Sequence, residues 1–184
     1  GTDFTGNLVL NPCLLKLANR HASPHDRKAF AVQLREVRAS DLDAFFAHQQ
    51  EPEANLMAAY QARNPADRSV FDHHWNQILN DPSVLVRTIE HEGEVAGSIL
   101  VFDGEAPEIN FWTSTKFWGK GITTSAVDAF LAEFTKRPLT AHVVQDNLGS
   151  IKVLERRGFK TVGTEQIFSN ARAEVVTENV MQLD

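Results

Sequence analysis

Between Glu108 and Phe134 the chain changes its period within a few residues, and that change restricts the fold more than any other feature. Glu108-Ile109-Asn110-Phe111-Trp112 reads as a strand. Phe117-Trp118-Gly119-Lys120-Gly121-Ile122-Thr123-Thr124 follows as a glycine loop. Ile122, Ala126, Ala129 or Phe130, and Phe134 then recur at helical spacing, with Val127 and Leu131 adjoining. A strand, a glycine turn and a helix in this order make a crossover unit. Glycines let the backbone turn and let its N–H groups approach a ligand without interference from a Cβ. The orphan N–H groups and positive dipole end of the following helix favour a phosphate there. The spacing matches neither a Walker loop nor the three-glycine dinucleotide fingerprint. A tight strand-to-helix turn with no ligand accounts for the same residues.

A second stretch narrows the choice. Leu139 to Val144 is extended, and Asn147-Leu148-Gly149-Ser150 then opens a helix that stops at Gly158-Phe159. Ile151, Leu154 and Phe159 would anchor this helix on the sheet, leaving Asn147 and Ser150 at its N-terminal end. Asn-x-x-Ser-x-x-Val-Leu-Glu-Arg-x-Gly-Phe, placed after a strand that follows a glycine loop, is far more specific than either stretch alone.

The remaining elements can be read along the chain. Val32 to Val37 begins an extended run. Ser40-Asp41-Leu42-Asp43 has the form of a capping box for a helix with Leu42, Phe45 and Phe46 on one face. Pro52 interrupts, and a second helical region carries Met57, Tyr60, Phe71, Trp75, Ile78 and Leu79. Asn64-Pro65 breaks this region and Asp81-Pro82 ends it. Val84 to Glu90 and Val95 to Phe102, joined through Glu92-Gly93 and followed by Asp103-Gly104, make an antiparallel meander. Lys160 to Phe168 and Glu174 to Leu183 close the chain as two strands. The expected class is α+β, a mixed sheet with helices.

Composition sets the outer bounds. A chain of 184 residues with 42% hydrophobic and 23% charged residues suits one globular domain. A net charge of -6 argues against nucleic-acid binding, which needs a basic face. Cys13 is the single cysteine, so neither an intrachain disulfide nor a thiolate cluster for zinc can form. No metal is expected: adjacent His73 and His74, next to Asp72, point apart on a helix. No apolar run approaches the roughly 20 residues that span a bilayer, so no membrane partner and a cytoplasmic location are expected. Residues 1–32 lack a period and read as an N-terminal extension, with the domain over 33–184. Its leucines could pack on the domain or on another subunit, which leaves a homodimer open.

On the glycine loop and the Asn147–Phe159 helix, the chain resembles the GCN5-related N-acetyltransferase (GNAT) superfamily, and within it the RimJ/RimL-like branch. The resemblance runs from about Leu34 to the C-terminus. It implies a mostly antiparallel sheet with a splayed central strand pair and flanking helices. It further implies acetyl-CoA as donor, with its pyrophosphate on Trp118, Gly119, Lys120, Gly121, Ile122, Thr123 and Thr124. Two of these positions depart from the family pattern. Trp118 stands where Gln or Arg is usual, and Thr123 replaces a small residue while offering a hydroxyl. The strand ending at Trp112 and Thr113 would splay from Leu139–Val144 and pair its backbone with the pantetheine arm. Asn147 and Ser150 would lie near the pantetheine and the sulfur.

The implied reaction moves an acetyl group to a primary amine, either a peptide α-amine or a small-molecule amine. It would proceed by direct attack in a ternary complex, since Cys13 lies in the extension. The ammonium must lose a proton, the oxyanion needs donors, and the departing thiolate needs a proton or hydrogen bond. A backbone N–H near Trp112 suits the oxyanion. Many relatives place a tyrosine four residues before the Gly-Phe pair; Leu154 stands there, which transfers the donor role to Ser150. Glu108, at the start of the strand leading into the cleft, ranks first as base and His142 second. The alternatives are a solvated strand-end carboxylate and a half-buried sheet histidine. Glu51 and Glu53 are placed to attract a cationic acceptor. The missing tyrosine also motivates a different class of function, a CoA-binding module without catalysis.

Overall fold

The computed structural model describes residues 32–58 and 61–184. Expectations for residues 1–31, including Cys13, and for Tyr60 lie outside the described residues. β1 (Val32–Arg35), α1 (Asp41–His48), α2 (Pro52–Met57) and α3 (Arg68–Asn80) come first. β2 (Val84–His91), β3 (Glu94–Phe102) and β4 (Glu108–Thr113) form the meander. A 3-10 turn at Thr115–Phe117 leads to α4 (Ile122–Glu133), β5 (Leu139–Val144), α5 (Leu148–Glu155), β6 (Lys160–Ser169) and β7 (Glu174–Leu183). The seven strands make one sheet in the order β1-β2-β3-β4-β5-β7-β6. All pairings are antiparallel except β4–β5, which run parallel and share a single register pair, Glu108↔Thr140. The expected mixed α+β sheet with a splayed central pair is what the chain forms.

Helices cover both faces, so the interior strand β3 is buried over six consecutive residues rather than alternating. On one face Ile122, Ala126, Val127 and Phe130 of α4 and Leu154 of α5 pack on Ile99, Val101, Ile109, Ala141 and Val143. Their spacing puts these helix residues on one stripe. On the other face Phe45, Phe71, Trp75 and Ile78 pack on Leu100. Phe45 and Trp75 stack with ring centroids 4.8 Å apart, and Phe46 meets Phe71 edge-on at 5.2 Å. Phe71 and Trp75 are therefore core residues. Asp72, His73 and His74 occupy the exposed face of α3.

The capping box expected at Ser40 is not made: Ser40 caps nothing with its side chain. Asp41 is instead drawn inward to 2% exposure. Its carboxylate accepts from Arg35 Nη1 and Nη2 at 2.7 and 2.9 Å, from the Arg38 N–H at 2.8 Å and from Thr88 Oγ1 at 2.7 Å. Arg35 also reaches Glu90 at 2.6 Å. A bidentate guanidinium outcompetes a local hydroxyl cap, because charge-assisted bonds are about twice as strong as neutral ones. Burial opposes ionisation of Asp41, but the bonds from Arg35, Arg38 and Thr88 prevail and hold its pKa at about 2.

One glycine is dictated by close approach. A Cβ on Gly97 of β3 would stand 1.9 Å from the Trp112 carbonyl oxygen of β4. Only glycine lets the two backbones come this near.

Two outcomes follow from these contacts. Gly97→Ala must displace β4 around Trp112, and it should cost about 1–3 kcal/mol in urea unfolding, as overpacking does. Asp41→Ala leaves Arg35 with Glu90 alone and should cost about 3 kcal/mol, the lower end for a broken buried pair. Because the folded pKa of Asp41 is lowered, its contribution is present above the unfolded value of about 3.9. It is lost as pH falls through about 2. Urea midpoints measured between pH 5 and 2 should therefore fall more steeply for the wild type than for Asp41→Ala.

Candidate functional site

The parting of β4 and β5 opens a cavity of about 670 Å3 between them. Beyond Glu108↔Thr140 no ladder pair joins the two strands, so the β4 backbone groups facing β5 have no strand partner. The floor is β4 from Glu108 to Thr113 with Ala141, His142 and Val143 of β5. The glycine loop closes one end, and the start of α5 forms a side wall.

Gly119 and Gly121 take φ of +71° and +76°, and a Cβ on either would meet no protein atom within 4 Å. Gly121 is the N-cap of α4 and offers no side-chain cap. The first-turn N–H groups of α4 therefore lack an intrahelical partner at the cavity wall. An uncapped helix start behind two left-handed glycines fits a pyrophosphate. Trp118 donates its indole N–H to the Thr113 carbonyl at 2.9 Å, tying the loop to the end of β4. Thr123 Oγ1 lies 3.0 Å from Thr113 Oγ1, so that hydroxyl already joins helix to strand. Trp112, Thr113, Trp118, Gly119, Gly121, Ile122, Thr123, Thr124, Asn147, Ser150 and Glu108 all line the cavity. Lys120 is not among the lining residues; it is exposed, with its amine 5.9 Å from the Phe117 ring centroid.

Asn147 makes the helix cap that its place in the sequence predicts, and Ser150 follows in the first turn. Asn147 Oδ1 accepts the Ser150 N–H at 3.1 Å, and its Nδ2 donates to the Met57 carbonyl at 3.2 Å. Both ends of the amide are thus engaged within the protein. It caps α5 and ties it to the end of α2. Arg172 reinforces that tie, binding the Leu56 carbonyl at 2.8 Å through Nε and the Asp146 carboxylate through both Nη atoms. The Ser150 hydroxyl makes no hydrogen bond to any described residue, and Ser150 borders the cavity. Leu154 is fully buried against the core and turned from the cavity, which the preceding Val153 lines.

Neither Glu51 nor Glu53 is among the residues that line the cavity. Glu53 is exposed and lies away from the cavity lining. Glu51 accepts from Ser114 Oγ at 2.6 Å and from the Thr115 N–H at 2.7 Å, bracing the 3-10 turn before the glycine loop. Burial pushes its carboxyl up, but those bonds outweigh burial and lower its pKa.

At the floor, His142 Nδ1 lies 3.1 Å from Glu178 Oε1 and 3.8 Å from Glu165 Oε2. Glu178, on β7, is fully buried, and its Oε2 has no partner. Burial pushes the Glu178 carboxyl up. His142 works against that, while Glu165 and Glu108 add to it. His142, Glu165 and Glu178 also bring ligand-type atoms within 4.8 Å of one another, a spacing that could hold a cation. Sequence reading missed Glu165 and Glu178, because strand pairing across β6, β7 and β5 brings them to His142 over 23 and 36 residues. Among the described residues no helix is long and apolar enough to cross a membrane.

The Acetyltransferase (GNAT) domain family model matches residues 31–160. No curated protein matches the chain. Among solved structures, Mycobacterium smegmatis RimJ in complex with CoA-disulfide aligns with a TM-score of 0.70 at 21% identity, covering 84% of this chain and 82% of that one. RimL, the ribosomal L7/L12 alpha-N-protein acetyltransferase, aligns at 0.69 and 19% identity over 83% and 89% of the two chains. Spermidine N-acetyltransferase from Vibrio cholerae, in complex with CoA and spermine, aligns at 0.68 and 17% identity over 83% and 94%. At these identities the likeness is one of fold, and it includes both enzymes that name the RimJ/RimL-like branch.

Proposed function

Because the chain belongs to the GNAT acetyltransferase family, we propose that it is an acetyl-CoA-dependent N-acetyltransferase acting on a primary amine. The acceptor is a peptide α-amine or a small-molecule amine, attacking directly in a ternary complex, and the domain responsible spans residues 33–184. One observation carries this reading. A single cavity joins the uncapped start of α4, the unpaired edge of β4 and the unbonded Ser150 hydroxyl. Structures of similar fold bound to CoA support it.

When bound, acetyl-CoA supplies an activated acetyl thioester. The chain's residues would do the rest. N–H groups of the loop from Trp118 through Gly119, Lys120 and Gly121 to Ile122, Thr123 and Thr124 hold the pyrophosphate. The β4 backbone at Trp112 and Thr113 holds the pantetheine arm and offers an N–H to the carbonyl oxygen. Asn147 keeps α5 in place so that Ser150 can donate a hydrogen bond at the sulfur. Glu108 and His142, both lining the floor, are the groups able to take the ammonium proton.

A second reading, a CoA-binding module without catalysis, is favoured by the buried Leu154 at the tyrosine position. Release of CoA thiol across a panel of peptide and small amines separates the two. Tight acetyl-CoA binding with no turnover on any amine supports the module and removes the transferase.

Two variants test the site residues. Ser150→Ala should lower kcat by about 10²-fold, the scale of positioned proton donors, while acetyl-CoA affinity stays within about threefold. An unchanged rate removes Ser150 from the reaction. Gly121→Val places a β-branched side chain at φ +76°, where the phosphate would approach. Titration calorimetry should detect no acetyl-CoA binding; wild-type affinity in this variant would sink the cradle assignment.

A further inference from the structure

We propose that His142 is the group that receives the acceptor's ammonium proton, and that the buried Glu178 is its positioning residue. The proposal rests on acetyl transfer to an amine and names the proton path within it.

The first ground is where His142 stands. Thr140 is the last β5 residue paired to β4, and His142 lies two residues further on, where the strands have parted and the cavity begins. Glu108, the competing base, sits at the closed end, within that last pair. Strand alternation puts Glu108, Thr140 and His142 on the same face of the sheet. An amine entering the gap therefore meets the imidazole nearer the open part of β4.

The second ground is how the ring is held. Nδ1 is engaged by Glu178 Oε1 at 3.1 Å, and no described residue bonds to Nε2. Glu178 has no solvent exposure, and among the described residues its carboxyl group bonds only to His142. A fully buried carboxylate on a strand is costly unless something uses it. Here it can hold the Nδ1–H and leave the Nε2 lone pair free, because the bond made by one ring nitrogen sets the state of the other. The charged groups beside the ring are Glu178 from β7 and Glu165 from β6, and Glu108 from β4 acts on Glu178.

The step balances simply. The ammonium N–H bond breaks, its electron pair stays on the amine nitrogen, and the proton bonds to Nε2. The imidazolium returns that proton to water after transfer. Nothing is oxidised or reduced.

The test combines spectroscopy and kinetics on the full chain. Long-range ¹⁵N–¹H spectra, with the His142 signals assigned by their loss in His142→Gln, should show the neutral ring as the Nδ1–H tautomer. Glu178→Gln should shift it toward Nε2–H, because an amide can donate to Nδ1. In kinetics, His142→Gln should lower kcat about 10²-fold with acetyl-CoA affinity unchanged, the range of general-base removal. Glu178→Gln should lower kcat at least about tenfold with acetyl-CoA affinity unchanged, because the ring loses the partner that orients it. A merely structural glutamate would leave kcat per folded enzyme unchanged. If Glu178→Gln fails to fold, the wild-type tautomer and His142→Gln still decide the matter.

Wild-type rate in His142→Gln, or an Nε2–H ring in the wild type, overturns the proposal. So does activity lost to a chelator and restored by zinc, because His142, Glu165 and Glu178 would then be metal ligands. Failure of the wild type to acetylate any amine overturns the parent reading instead. The tautomer spectrum then still reports on the Glu178–His142 pairing.

Discussion

The single ladder pair between β4 and β5 is the constraint on which the rest of the site depends. A parallel pair normally continues as far as both strands run. Here pairing ends after Glu108 and Thr140, although β4 continues to Thr113 and β5 to Val144. Two features keep the strands apart. β4 is pressed toward β3, where the absent side chain of Gly97 lets the Trp112 carbonyl come close. β5 is held by six register pairs to β7 on its other edge. Each strand is satisfied on its outer side, so the gap persists with polar backbone along one wall.

Several polar side chains around that gap are occupied in keeping it in shape. Asn147 caps α5 and grips the Met57 carbonyl, Trp118 anchors the loop to Thr113, and Glu51 braces the turn at Ser114 and Thr115. These bonds come from segments distant in sequence and converge on the cavity wall. Among the described residues, the groups left unengaged include the first amides of α4, the β4 edge, the Trp112 indole N–H, the Ser150 hydroxyl and Nε2 of His142. Donors and acceptors consumed by the fold cannot also serve a ligand, so the chemistry falls to those left over. A preorganised site of this kind needs little rearrangement when charge develops within it.

Much of the architecture was legible in the chain. Apolar, β-branched runs punctuated by Glu92-Gly93 and Asp103-Gly104 marked the meander, and helical spacing from Ile122 marked α4. Those signals are local, so they survive folding unchanged. The capping box at Ser40 failed because Asp41 found a stronger partner in Arg35, which the fold brings beside it together with Thr88. Glu51 was misread for a related reason. A carboxylate near a helix break looks available until Ser114, 63 residues away, arrives to bind it.

By itself, the sequence determined the order of elements, the glycine loop ahead of α4 and the capped start of α5. Each depends on backbone preferences acting over a few residues. Tertiary structure alone decided which side chains remain free inside the cavity. It turned Asn147 and Thr123 to structural bonds and buried Leu154 in the core. It also carried Glu178 from a distant strand to the ring of His142. Such pairings arise from strand register across the sheet, and register is set by the packing of the whole molecule rather than by any local stretch.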